Sequence, residues 1–234
     1  MKQNLTQILD GFSGFEHALT AVPLRQDVIE LLARSGTSYT TTLNITNGGP
    51  EGQDYFIVRD HPRDDPKLNR FAPQYVVDVK MQSRTWRELS EYLFPQVAAG
   101  AASVQRAGGL VGMGAHGETP GLGLHWEMQA HALGGMTSME VLRAATIDAA
   151  RTIGRAEELG SLAPGKFADL VILERDPRLD IANTLSIEAV MKNGRLYSGE
   201  TLDELWPDPR TLPPLWFWGD RAPAIPTAAP PPAH

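Results

Sequence analysis

Apolar residues at Leu24, Val28, Leu31 and Leu32 recur three or four positions apart, and Ser35-Gly36 follows as a stop, so this spacing predicts a helix. Before it, residues 11–17 read as a short extended segment with polar groups at its end. After it, residues 38–45 are rich in β-branched side chains and read as a strand. The pattern is strand, helix, strand. It repeats downstream: Trp86, Leu89, Leu93, Val97, Ala101 and Val104 predict a helix, bent or restarted at Pro95. Gly108-Gly109 ends that helix before the buried run Leu110-Val111-Gly112-Met113. Thr137-Ser138-Met139-Glu140 fits a capping box, and Asp148 is placed to cap a further short helix.

The long stretch from Asn47 to about Pro73 lacks such periodicity. Its Gly-Gly-Pro and Asp-His-Pro-Arg-Asp-Asp-Pro runs predict an irregular lid, because a connection of this length in a compact domain is commonly functional or mobile. The character changes again near Gly160. Residues 168–173 read as a strand, and Asn193-Gly194 between residues 187–192 and 195–197 predicts a type I′ hairpin. Half of the 18 prolines lie beyond residue 206, beside Trp216 and Trp218, which predicts an extended, disordered tail with both indoles exposed.

Repeated βα units followed by a hairpin make the fold class α/β, and in parallel sheets of this kind functional groups gather at the C-terminal ends of strands. The chain has 234 residues, 42% hydrophobic and 21% charged, which suits an ordinary folded protein. Its net charge of −7 has no basic cluster set against it, so no nucleic acid and no membrane surface is expected as a partner. No cysteine is present, which removes disulfides and thiol nucleophiles and leaves His, Asp, Glu or a modified Lys for any metal site. The N-terminus lacks a signal-peptide pattern and no apolar run is long enough to span a bilayer, so localisation is left unknown.

Six histidines can be weighed one by one. His17 and His116 each follow a predicted strand, where glycines in Gly114-Ala115-His116-Gly117 allow close backbone approach to a metal or substrate. Taken singly, each is also compatible with a structural histidine bonded to backbone. His131 shares a helical face with Glu127 four residues earlier, a spacing too common to imply a ligand pair. No Gly-x-Ser-x-Gly, P-loop or dinucleotide fingerprint is present, which leaves metal-assisted hydrolysis as the chemistry that imidazoles at strand ends can serve.

Three ordered motifs then carry a resemblance. Ala144-Ala145-Thr146 with Ala149-Ala150, the run from Leu159-Gly160-Ser161 through Pro164-Gly165-Lys166 to Ile172-Leu173, and Val190-Met191-Lys192-Asn193-Gly194-Arg195-Leu196-Tyr197 resemble the C-terminal signature of the amidohydrolase superfamily, in its imidazolonepropionase/prolidase-like group. Residues 10–17 and 121–127 resemble a subgroup often fused behind a β-propeller, so the likeness runs from about residue 4 to 207. The resemblance implies the C-terminal portion of a TIM-like (β/α)8 barrel in residues 1–158, about strands six to eight. It then implies strands of a small β-sandwich in 159–206, ahead of the tail at 207–234.

By the same resemblance His17 matches the metal ligand of strand six. His116 stands where the superfamily usually places a water-activating Asp, so it is expected as ligand or base. The His-x-His pair of strand one, the bridging residue of strand four and the His of strand five have no counterpart here. The implied cofactor is a divalent metal, zinc by family habit, and the implied substrate is a small molecule with an amide or cyclic amide bond. His125 and Glu127 are expected to contact that substrate, as are Arg59 and His61 with Tyr55 on the lid. The implied partner is the missing N-terminal half of the barrel. Without it, unpaired strand edges favour association, with a second copy of the chain included. A non-catalytic truncated fragment or subunit is the competing expectation.

Overall fold

The computed structural model describes residues 2–19, 21–45, 49–82 and 84–219. Asn47, where the expected lid begins, lies outside them, as does the tail beyond residue 219. No described helix is long and apolar enough to cross a membrane.

Three short parallel strands, β1 (Gly14–Glu16), β2 (Ser38–Thr40) and β3 (Val111–Gly112), form one sheet in the order β1-β2-β3. Phe15 pairs with Tyr39, and Tyr39 with Val111. Helix α1 (Lys2–Leu9) precedes the sheet and was not foreseen, since only one residue of its two turns, Ile8, is buried. Helix α2 (Gln26–Ser35) returns the chain from β1 to β2, burying Val28, Ile29 and Leu32 and ending at Gly36 in the left-handed region. One core cluster, with Phe15, Leu32, Tyr39, Val104 and Val111, packs beneath the sheet.

Between β2 and β3 the expected irregular lid is helical instead. It contains α3 (Gly52–Asp60), a 3-10 turn at Pro62–Asp64, α4 (Pro66–Phe71) and α5 (Gln74–Lys80). The Asp-Pro punctuation that suggested a loop marks helix starts: the Asp65 side chain accepts from the Leu68 N–H at 2.7 Å, and Pro66 occupies the first turn. Helix α6 (Phe94–Arg106) begins eight residues later than the pattern from Trp86 implied. Pro95 sits in its first turn, so no bend is needed, and Trp86 is exposed. A second core cluster forms under these helices and α7 (Gly123–Leu133), around Phe56, Tyr92, Phe94 and Trp126.

The Thr137–Glu140 capping box opens α8 (Ser138–Arg143), as the motif predicted. A π-helical stretch, Ala144–Asp148, leads directly into α9 (Ala149–Thr152), and Asp148 does not cap α9. It pairs with Arg143 and Arg151 instead. The remaining strands, β4 (Leu170–Leu173), β5 (Ile187–Lys192), β6 (Arg195–Ser198) and β7 (Glu204–Trp206), form an antiparallel sheet in sequence order. Its β5–β6 turn uses Asn193 at φ 51° and Gly194 at φ 80°, the two left-handed residues a type I′ turn requires.

The segment after β7 departs from the expected tail up to Gly219. Arg210 pairs back to Glu204 through two backbone hydrogen bonds. Trp218 is only 9% exposed, donating from its indole N–H to the Arg70 carbonyl at 2.6 Å beneath the Arg70 guanidinium. Trp216 is exposed as expected. Of the two indoles that marked the segment as odd, Trp218 is the one that docks it.

Candidate functional site

The strand ends carry an unusual run of backbone conformations. His17 after β1, Thr42 after β2 and His116 after β3 all have positive φ, at 74°, 49° and 59°. Non-glycine residues rarely adopt this region, least of all a β-branched threonine, and such strain clusters at functional sites where surrounding contacts over-determine it. The three lie on adjacent parallel strands at the same sheet edge. The His17 and His116 rings have centroids 5.5 Å apart, and His17 Nδ1 lies 2.8 Å from Thr42 Oγ1.

On the far side, His116 Nδ1 lies 3.3 Å from Glu118 Oε1, and Glu118 is ion-paired with Lys80 of α5. The Lys80 ammonium, with the neighbouring His116 contributing less, holds the Glu118 carboxyl below the usual range. Glu118 and Lys80 were not singled out from the sequence. The spacing Lys80 to Glu118 carries no local signal.

Two imidazoles sharing one ion at about 2.1 Å through tetrahedral angles have centroids about 5 Å apart, a spacing close to that of the His17–His116 pair. Two donors do not complete a metal centre. Among the described residues no group of three or more His, Cys, Asp or Glu could hold an ion.

Behind the sheet edge lies a buried polar network. Glu127 of α7 has no exposed surface. Its Oε1 accepts from the Leu43 N–H at 2.7 Å and from the Thr41 hydroxyl at 3.2 Å, and its Oε2 accepts from the Asn44 N–H at 3.1 Å. These bonds explain why β2 stops at Thr40 when the sequence reads as strand to Ile45. Backbone amides that could have continued the ladder turn instead to a carboxylate. Asn44 also donates from Nδ2 to the Gly123 carbonyl at 2.8 Å. At Gly52 a Cβ would come 2.3 Å from the Leu43 carbonyl oxygen, so only glycine lets α3 begin this close to the strand end. His131 Nε2 lies 2.8 Å from Thr41 Oγ1. Burial pushes the nearby Tyr39 phenol, which accepts from the Leu19 N–H, up to about 12.

The other expected contacts scatter. Glu127 faces backbone and not a cleft. His125 turns toward the C-terminal segment, with Nδ1 3.0 Å from Thr184 Oγ1, and burial holds it below the ordinary histidine value. Arg59 of α3 pairs with Asp60, donates to Gln129 Oε1 at 2.7 Å and lies over the Phe56 ring at 4.8 Å. Tyr55 packs edge-on against Phe56 and Tyr92. His61 is the left-handed C-cap of α3 and lines a cavity with Ile57, Asn69, Gln74 and Met81 that includes neither His17 nor His116. The structure therefore brings together His17 and His116, and adds Thr42, Glu118 and Lys80 to them.

Comparison with known proteins bears on the same region. Residues 96–197 match the family model described as Amidohydrolase family. Imidazolonepropionase of Geobacillus sp. (strain WCH70) is 35% identical over 139 residues, which cover 56% of this chain and 31% of that protein. Imidazolonepropionase of Geobacillus kaustophilus (strain HTA426) is 46% identical over 65 residues, 26% of this chain and 15% of that protein. In fold, the chain is similar to a Xaa-Pro dipeptidase crystal structure, with a TM-score of 0.56 and 23% identity, covering 84% of this chain and 43% of that one. The chain spans less than half the length of each of these proteins.

Proposed function

We propose that this chain, whose residues 96–197 match the amidohydrolase family model, supplies the C-terminal part of a metal-dependent hydrolase acting on amide or cyclic amide C–N bonds. The observation that carries the reading is the pair of imidazoles, His17 and His116, held in left-handed conformations on neighbouring strand ends with centroids 5.5 Å apart. In this reading the three parallel strands are part of a (β/α)8 barrel, and the antiparallel sheet belongs to a small β-sandwich. The remaining strands and metal ligands come from polypeptide beyond this chain's own residues.

His17 and His116 would hold a divalent ion, zinc by resemblance to the family. When bound, the ion supplies an acidified water and polarisation of the scissile carbonyl. The chain's own residues orient this chemistry. Glu118, kept ionised by Lys80, accepts from His116 and fixes its ring. His116 thus presents its other nitrogen, as ligand or as the base that moves the proton. A small-molecule substrate would bind above the sheet edge.

The experiment is metal content by mass spectrometry on the 234-residue chain, alone and co-expressed with the upstream part of its reading frame. Near-stoichiometric metal in the combined form only, lost in His17→Asn and His116→Asn, is the expected result, together with hydrolysis that chelators abolish. Metal-free or chelator-indifferent turnover in the combined form would overturn the reading. One observation favours a second reading of the chain by itself, as a non-catalytic fragment or subunit. The described residues hold no group of three potential ligands.

A further inference from the structure

Thr42 has one hydroxyl proton, and its geometry commits that proton. Oγ1 donates to the Thr41 carbonyl at 2.8 Å. The same oxygen lies 2.8 Å from His17 Nδ1, so the proton in this second bond comes from the imidazole. We infer that Thr42 is a positioning residue: it holds neutral His17 in the tautomer protonated at Nδ1 and leaves Nε2 as the ring's only lone pair. The second partner of a metal-binding histidine commonly settles which nitrogen ligates, and here that partner is a strained threonine on the adjacent strand.

Glu127 shows why the threonine stays in place. At φ 49° a β-branched residue resists its own backbone conformation, and relaxation would swing Oγ1 away from His17. The residues on both sides are tied. Thr41 bonds to Glu127 and His131, and the Leu43 and Asn44 amides bond to the same buried carboxylate. His131 fits the same proton count. Thr41 donates to Glu127, so His131 Nε2 donates to Thr41, and Nδ1 is the buried nitrogen without a partner. The tautomer assignment stands on hydrogen bonds alone. Only the use of Nε2 as a ligand rests on the hydrolase reading.

Long-range proton–nitrogen NMR of the histidine-labelled chain separates the two claims. His17 is assigned by loss of its signals in His17→Asn. Spectra are taken about two units above the ordinary histidine value of roughly 6.5, so that neutral rings are observed. His17 is expected with Nδ1 protonated in the parent chain and in Thr42→Ser, which keeps the hydroxyl. In Thr42→Val it is expected to move toward a mixture dominated by protonated Nε2. Thr42→Gly gives a second test free of branching strain, because glycine accepts the positive φ while removing the hydroxyl. Protonated Nε2 in the parent, or an unchanged tautomer in both hydroxyl-free variants, would overturn the inference. Zinc added to the combined form, co-expressed with the upstream part of the reading frame, then tests the ligand reading by itself. Perturbation of His17 Nε2 supports it. An unperturbed Nε2 on an Nδ1-protonated ring would overturn the ligand role and leave the positioning role standing.

Discussion

Glu127 and Glu204 are both buried carboxylates, at 0% and 3% exposure, yet the two halves of the molecule satisfy them in opposite ways. Glu127, at the parallel sheet edge, faces backbone amides, a threonine hydroxyl and His131. Glu204, on β7, sits between the Arg195 and Arg210 guanidiniums at 2.9 and 2.8 Å, and both of those side chains are substantially exposed. A carboxylate bound by amides fixes the path of one particular stretch of backbone. A carboxylate between two flexible cations fastens a surface without dictating its course. The first arrangement belongs where a few atoms must be placed well, and the second where a sheet must only be held together.

The same contrast appears in the apolar residues and sets the largest expected effect. Trp126 is fully buried, stacked on Phe56 at 5.6 Å and donating to Asp60 at 2.8 Å, whereas Trp206 is 57% exposed. Trp126→Ala is expected to cost about 3–5 kcal/mol, the usual range for emptying an aromatic core position. Trp206→Ala should stay within about 0.5 kcal/mol in the isolated chain. Denaturant melts of both variants check this. A costly Trp206→Ala would mean that the outer face of the antiparallel sheet is covered in solution.

Next in size come the two carboxylates themselves. Glu127→Gln keeps the shape but sets an NH2 group against backbone N–H groups, and one of those amides loses its partner. The expected loss is about 2 kcal/mol, from the usual range for hydrogen bonds to charged groups. Glu204→Gln gives up ion pairs whose cationic partners are exposed, and about 1 kcal/mol is expected. Salt sharpens the difference. Raising ionic strength should shrink the Glu204→Gln effect and leave the Glu127→Gln effect unchanged, because ions screen exposed charges and do not reach the buried amides. Equal salt dependence in thermal melts would erase the distinction.

How much of this was legible in the sequence follows the range of each interaction. The Thr137–Glu140 box and the Asn193-Gly194 turn are local patterns, and each appears as the pattern implied, while α2 keeps Val28 and Leu32 of its expected face buried but begins at Gln26, past Leu24. Helices α4 and α5 span only six and seven residues, too short to show a period, and their Asp and Pro starts read as loop. The placement of His17 and His116 after strands could be read because strand patterns and glycines mark those ends. The contacts of Thr42 depend on its φ and on a histidine 25 residues away, and those of Glu127 on amides more than 80 residues away. No pattern in either neighbourhood encodes such contacts. The family likeness pointed to Glu127 for substrate, while the structure gives it backbone to hold.

A third carboxylate, Glu140, combines both kinds of partner and is expected to give the smallest effect, one readable through pH. Its Oε2 accepts from the Thr137 N–H at 2.7 Å, and both its oxygens accept from the Arg106 guanidinium at 2.8 Å, tying α6 to α8. The Arg106 fork, with the Thr137 amide next, lowers its carboxyl from 4.5 to about 2. A carboxyl depressed in the folded state binds protons more readily once unfolded. Its contribution is therefore complete above about pH 4.5 and is lost as pH falls toward 2. Solvent screening of this partly exposed pair keeps the contribution below about 1 kcal/mol. Glu140→Gln is the informative variant, since glutamine preserves the capping box while losing the charged fork. The parent and Glu140→Gln should differ by a constant amount near neutrality, and the difference should vanish between pH 4.5 and 2. If it persists to the acid end, the carboxylate charge paired with Arg106 is not what separates the two proteins, and the fork contributes nothing that pH can remove.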